Sequence, residues 1–239
     1  TLSGKTIDLV IIGSGAAGLC LGETLAERGV SSVILEAGSR DFTEQSQSFY
    51  QGRTVGDPYH TLDSSRLRIY GGTIRHWGGW SLPLDPEDFH AKPFARVPAW
   101  PITFRDLAPY EQRVARYLGV KPRPKRGFDR NLDQYFMNYA SRQFLEAFEA
   151  AVAPGGHCRI ALETAVQLIT PRRDGHYDIE AKTLAGDRVL FTARRLVIAC
   201  GGIENSRLLL WCNRATGGRL IPAASTLGHY FMEHPSFTG

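Results

Sequence analysis

From Asp8 to Glu36 the chain reads DLVIIGSGAAGLCLGETLAERGVSSVILE, and no other stretch restricts its fold so tightly. Leu9 to Ile12 form a short apolar run suited to a strand buried on both faces. Gly13-Ser14-Gly15-Ala16-Ala17-Gly18 then satisfies G-x-G-x-x-G. In that pattern the first glycine permits a tight turn and the second lets backbone approach a pyrophosphate. The third lets the following helix pack against the strand. The N–H groups that open the helix present the positive end a diphosphate needs. Val33 to Leu35 supply a second strand, and Glu36 follows Gly18 at the spacing of a ribose-binding carboxylate, roughly 20 residues on. Glycines gather in ordinary turns, so a lone G-x-G-x-x-G would say little. With strand, helix, strand and acidic residue in order, the segment predicts an α/β fold that binds an adenine dinucleotide.

Bulk properties narrow the partners. A chain of 239 residues can bury a real core, as one large domain or two small ones. Its net charge of +4 comes without a Lys/Arg block carrying interleaved aromatics, so no nucleic-acid partner is expected. Lys121-Pro122-Arg123-Pro124-Lys125-Arg126 is broken by prolines and reads as a solvated loop, with an anionic partner or membrane surface as the alternative. Cys20, Cys158, Cys200 and Cys212 form no C-x-x-C pair, which argues against zinc and against a disulfide framework. Cys20 and Cys200 fall in expected core elements and read as small apolar fillers. No run reaches transmembrane length and no signal peptide is recognisable. The expected location is cytoplasmic, or periplasmic had an extension before Thr1 been cleaved.

The expected architecture is a Rossmann-like domain over 1–239. Segments 1–39 and 155–239 form its dinucleotide-binding core, and 40–154 an insertion. A helix is predicted over Thr103 to Leu118, with Thr103 as N-cap, Gly119 as stop and Pro109 awkward within it. A second runs from about Asp133 to Val152. Strands are expected over Arg159 to Thr170, Tyr177 to Thr183, Arg188 to Thr192 and Leu196 to Cys200, with a hairpin at Ala185-Gly186-Asp187. A helix follows over Glu204 to Cys212. These make a parallel sheet, a helical insertion and a small antiparallel meander.

A second cluster, Arg66-Leu67-Arg68-Ile69-Tyr70-Gly71-Gly72-Thr73-Ile74-Arg75-His76-Trp77-Gly78-Gly79-Trp80, is too glycine-rich for a core element. Its glycines would let backbone lie against a flat or anionic ligand, while Trp77 and Trp80 offer broad apolar surface. An aromatic-braced surface loop is the alternative.

Together, DLVIIGSGAAG with Glu36-Ala37-Gly38, the YGGTIRHWGG segment and LVIACGGIENSRLLL over Leu196–Leu210 resemble the glucose–methanol–choline (GMC) flavin oxidoreductases. A fourth stretch, Leu227 to Pro235, resembles that family's G-x-N-L-x-D-H, with Tyr230 for Asn and Glu233 for Asp. The resemblance implies FAD as cofactor. Gly13, Ser14, Gly15 and Gly18, with Ala17 in the same turn, would hold its diphosphate, and Glu36, followed by Ala37, the adenosine ribose. Gly71, Gly72 and Thr73 would lie along the diphosphate and flavin side, with Gly78 and Gly79 in the same loop. Arg68 and Arg75 would neutralise diphosphate or flavin charge, or brace the loop. Val166 would meet the adenine or serve packing alone; Gly201 and Asn205 would return to the cofactor after the late strand.

Gly71-Gly72-x-x-x-His76-Trp77 is similar to the sugar-oxidising branch, some members of which attach FAD through that histidine. Covalent attachment, a noncovalent flavin contact and a structural role for His76 all remain open. His234, before a proline, reads as structural, and the other histidines show no partner pattern. The implied activity is oxidation of an alcohol group of a sugar or polyol by hydride transfer to flavin N5. Alternatives are a lyase of the same family, a noncatalytic FAD-binding subunit and an NAD(P)-binding domain. The family's late catalytic histidine has no counterpart, so no catalytic residue is expected in this chain. The missing half would lie on the same or another chain, and this one alone would be poorly active.

Overall fold

A computed structural model describes residues 2–78, 84–95, 97–119, 141–149, 152 and 155–233. Gly79, Trp80, the 121–126 basic loop and His234 lie outside the described residues. The chain divides into two compact units, residues 1–74 with 148–239, and residues 75–147.

The first unit is a six-stranded sheet. Its strands are β1 (Thr6–Ile12), β2 (Ser32–Leu35), β3 (Cys158–Ala161), β4 (Thr164–Pro171), β5 (Tyr177–Thr183) and β6 (Arg188–Ile198). Their order is β3-β2-β1-β6-β5-β4, parallel from β3 to β6 and antiparallel from β6 through β5 to β4. The apolar run of the first strand explains the centre: Val10 and Ile11 are fully buried, as is all of β2. Helix α1 (Ala16–Glu27) packs on β2 and β1, bringing Gly22 against Cys158 and Ile34. Helix α2 (Glu44–Gln47) is a single turn capped by Thr43, whose Oγ1 accepts from Ser46 N at 3.2 Å.

Two strand assignments differ from expectation. Arg188 to Thr192 and Leu196 to Cys200 belong to one strand, β6, whose first half pairs with β5 and whose second half pairs with β1. The intervening Arg194 and Arg195 do not interrupt it, because both are exposed and Arg194 pairs with Asp8 on the neighbouring strand. Conversely, the strand expected over Arg159 to Thr170 is two. Glu163, at φ 53°, breaks it, sending β3 to one edge of the sheet and β4 to the other.

The insertion expected over 40–154 is narrower as a compact unit. Residues 40–74 fold with the sheet: Tyr70 N donates to Ser39 O at 2.9 Å, and Gln47 Nε2 donates to Asp63 O at 2.5 Å and Arg66 O at 2.6 Å.

In the second unit, Thr103 caps α3 (Phe104–Leu107) through its N–H and Oγ1, which donate to Asp106 Oδ2 at 2.7 and 2.8 Å. The single helix expected to Leu118 is broken by a 3₁₀ turn at Ala108–Tyr110 before α4 (Glu111–Tyr117), since Pro109 lacks the N–H a helix interior needs. Helix α5 (Ser141–Glu149) is the described part of the second expected helix. In the first unit, α6 (Gly202–Ala215) begins before and ends beyond the expected Glu204 to Cys212. Among the described residues no helix is long and apolar enough to cross a membrane.

Candidate functional site

At the C-terminal ends of β1, β2 and β6 the strand order places a switch point, where open α/β sheets hold ligands. A cavity of about 960 Å³ opens there within the first unit, at the upper end of the usual range for ligand sites. Its floor is stitched by backbone. Gly13 N donates to Leu35 O at 2.8 Å, Ala199 N to Ile12 O at 2.7 Å, and Thr164 N to Glu36 O at 2.8 Å.

The glycines show which positions serve packing and which leave room. A Cβ on Gly13, already at φ 99°, would sit 2.5 Å from Ala199 O, and one on Gly18 only 2.0 Å from Gly13 O. Those two are required by the protein itself. At Gly15 the nearest atom to such a Cβ is Ala199 O at 4.0 Å, and at Gly202 nothing lies within 4 Å. Both line the cavity, so their missing side chains leave space for a ligand rather than for neighbouring chain.

Glu36 is buried at one wall. Its Oε2 accepts from Ser14 N at 2.9 Å and Ser14 Oγ at 2.7 Å, while Oε1 accepts from Gly38 N at 2.7 Å. A carboxylate has about four acceptor positions, so three protein donors leave one, on Oε1, for a ligand hydroxyl. Burial raises the Glu36 carboxyl above its ordinary range, against the lowering effect of these donors. A hydroxyl donated by ribose would favour the ionised form further.

Arginines line another wall. Arg66 lies over the Tyr50 ring at 4.1 Å and Arg68 over Phe49 at 4.7 Å. Arg66 Nη1 is buried, makes no hydrogen bond and stands 3.5 Å from Glu204 Oε2. Glu204 also accepts from Arg207 Nε at 2.7 Å. Burial pushes the Tyr50 phenol well above its ordinary value and the Cys200 thiol up to about 12, so both stay protonated. Cys200 Sγ donates to Ile12 O at 3.2 Å and is a filler rather than a nucleophile.

Gly13, Gly15, Ala17, Glu36, Ala37, Arg68, Gly72, Thr73, Val166 and Gly201 all line the cavity. Ser14 does not. Its side chain, expected at the diphosphate, is fully buried, donating to Glu36 and accepting from Gly71 N at 3.3 Å. Gly71 is buried beside it, and Gly18 is confined to packing. Asn205 is turned away too: its Oδ1 accepts from Cys200 N at 2.7 Å, locking the turn between β6 and α6. His76, Trp77 and Gly78 belong to the second unit, where His76 and Gly78 are exposed and Trp77 is half-buried. Sequence reasoning gave no role to Tyr50, Tyr59, Glu163, Glu204 or Arg207, all of which line the cavity. Arg66 was overlooked beside Arg68. Only alternation along Arg66-Leu67-Arg68 hinted that both arginines face one way. Among the described residues no cluster of His, Cys, Asp or Glu could hold a metal.

Residues 6–56, which contain the glycine turn, Glu36 and the Tyr50 wall, match the FAD-binding domain family. The cofactor is FAD. A 6'''-hydroxyparomomycin C oxidase of Streptomyces lividus is 28% identical over 131 residues, covering 47% of this chain and 23% of that protein. Among solved structures, a formate oxidase superposes with a TM-score of 0.50 at 18% identity, over 88% of this chain and 48% of that one. A pyridoxine 4-oxidase from Mesorbium loti gives 0.49 at 16% identity, over 85% of this chain and 51% of that one. The chain therefore spans about a quarter of the curated relative it matches, at 23%, and about half of these solved neighbours. At 18% identity, the likeness to the formate oxidase shows a shared fold alone. The residues fit FAD on their own account: side-chain-free backbone at Gly15 and Gly202, one open acceptor on Glu36, and an unbonded guanidinium N–H on Arg66.

Proposed function

We propose that this chain is the FAD-binding part of an oxidoreductase that oxidises an alcohol group, of a sugar or polyol, to a carbonyl. One observation carries the reading: a cavity at the sheet's switch point that joins an acceptor for ribose, bare backbone for a diphosphate and a cationic wall. The donor class rests on Gly71-Gly72-x-x-x-His76-Trp77, which resembles the sugar-oxidising GMC branch. It also rests on the Streptomyces relative, whose name denotes an oxidase of a hydroxy compound.

When bound, FAD supplies a two-electron acceptor for the hydride of a carbinol carbon. This chain's residues bind and orient. Gly13 N and Ser14 N are taken up by Leu35 and Glu36, so Gly15 and the first turn of α1 would present N–H groups to the diphosphate. Glu36, held by Ser14 and Gly38, would accept from ribose, and Val166 with Ala165, which also line the cavity, would meet the adenine. The base that takes the alcohol proton would belong to the remainder of the protein, on the same polypeptide or another. A bond from His76 to the flavin would leave colour on the denatured polypeptide; a colourless one reduces His76 to a contact or a brace.

The test is anaerobic reduction of the whole protein loaded with FAD. Bleaching of the flavin by sugars or polyols is the expected result. Retained FAD that no alcohol bleaches would overturn the substrate reading, and a protein that takes up no FAD would overturn the rest.

A further inference from the structure

Resting on that reading of the cavity, one group inside it remains unexplained. Arg66 is held on two sides: its Nε donates to Leu62 O at 3.0 Å, and its guanidinium stacks over Tyr50 at 4.1 Å. On the third side Nη1 is buried without an acceptor, although the side chain is only 16% exposed. A buried guanidinium N–H left without a hydrogen bond is costly, because the group has lost water and only a long ion pair replaces it. Glu204 Oε2, the nearest anion, stands 3.5 Å away, beyond a normal charge-assisted bond. It is drawn aside by Arg207, whose Nε and Nη2 both bond the other oxygen of the same carboxylate. Tyr50, Arg66, Glu204 and Arg207 all line the cavity, so the side chains of this half-made bridge border the ligand's space.

We infer that Arg66 is the side chain that clamps the cofactor's diphosphate, and that Glu204 competes with the diphosphate for it. Two features of the guanidinium suit the task. Its fork can bond a phosphate oxygen while Nε stays on Leu62, and the Tyr50 face fixes its plane. Arg68, by contrast, is committed: its Nη1 donates to Ser46 O at 3.4 Å and Ser46 Oγ at 3.3 Å, bracing α2. Glu204 costs affinity by placing a negative charge beside the diphosphate, and its ion pairs keep Arg66 in position while the cavity holds no anion. The two substitutions therefore have opposite signs. Removing Arg66 weakens binding, whereas neutralising Glu204 strengthens it.

The experiment compares binding of FAD, ADP and adenosine to the chain and its variants, by flavin fluorescence quenching and calorimetry. Arg66→Met should weaken FAD and ADP by about tenfold to a hundredfold, the worth of one or two charge-assisted bonds, and leave adenosine unchanged. Glu204→Gln should tighten FAD and ADP severalfold, and the salt dependence of ADP binding should fall in Arg66→Met. Equal losses for ADP and adenosine in Arg66→Met would reduce Arg66 to a structural brace and overturn the proposal. So would Glu204→Gln binding ADP more weakly than the unaltered chain. Should Arg66→Met fail to fold, Glu204→Gln still decides by its sign. An unaltered chain that binds neither FAD nor ADP would instead overturn the cofactor reading, and so separates the two failures.

Discussion

Gly15 and Gly18 sit three residues apart in one motif, yet the space around them assigns opposite consequences to the same substitution. Gly18→Ala would drive a Cβ to 2.0 Å from Gly13 O, a backbone atom that cannot give way, so helix α1 must lift from β1. A loss of about 3 kcal/mol is expected in urea unfolding of the FAD-free chain. Gly15→Ala meets only Ala199 O at 4.0 Å, in a backbone conformation at φ −68° that alanine adopts freely. Its unfolding free energy should change by less than ~1 kcal/mol, while FAD affinity falls about tenfold, ~1.4 kcal/mol, because the methyl enters the ligand's space. Glu36 adds a pH dependence. Burial raises its folded pKa above 4.5, so the folded chain keeps the proton to higher pH than the unfolded chain. The stability that Glu36 contributes should therefore be fully present below about 4.5 and be lost as pH climbs through the raised folded value. Glu36→Gln cannot ionise, and its unfolding free energy should lack that decline above about pH 4.5. Equal slopes for the two proteins would refute the assignment. The motif made Gly13, Gly15, Gly18 and Glu36 legible because their spacing along the strand, turn and helix is itself the signal. The Ser14 side chain is turned to Glu36 and Gly71, partners from other segments that the motif does not announce.

Strands β6 and β4 show how neighbours, rather than propensity, set the bounds of an element. Arg194-Arg195 looks like a break within an apolar run, but on exposed positions beside Asp8 it continues the pairing from β5 to β1. Glu163 looks like an ordinary strand residue and is the corner. Its N–H donates to Gly38 O at 3.0 Å, its carbonyl accepts from Leu184 N at 2.9 Å, and Ser39 Oγ holds its carboxylate at 2.8 Å. These distant partners stabilise a φ of 53° that local preference would refuse. The turn from β6 into α6 depends likewise on Asn205, whose Oδ1 bonds Cys200 N. Asn205→Ala would strand that N–H, so a loss of about 1–2 kcal/mol in chemical unfolding is expected. Asn205→Asp keeps the acceptor and should recover most of it. The 3₁₀ interruption at Pro109 needed no tertiary partner, and proline chemistry foretold it.

Across the chain, the first unit gathers its cofactor wall from segments far apart in sequence, among them residues 12–13, 15–17, 35–37, 49–50, 65–68, 72–74, 163–167, 182–184, 199–204 and 207–208. A ligand that bridges so many should stabilise the unit as a whole. At FAD concentrations about a hundredfold above its dissociation constant, the unfolding free energy should rise by ~2.7 kcal/mol, read as an upward shift in thermal midpoint. Riboflavin, which lacks the diphosphate and adenosine, should produce much less. A midpoint indifferent to FAD would show that the cavity does not hold it. The order of chemistry along the first 36 residues was enough to determine the α/β class and the choice of an adenine dinucleotide, since turn, helix start and acidic residue act over short spans. Tertiary structure alone decided that Nη1 of Arg66 is left without a hydrogen bond, that the Ser14 side chain is turned to Glu36, and that Glu204 lines the cavity. The physical reason is common to all three. Whether a polar side chain is satisfied depends on what burial has removed from it and which remote donor or acceptor replaces the lost water.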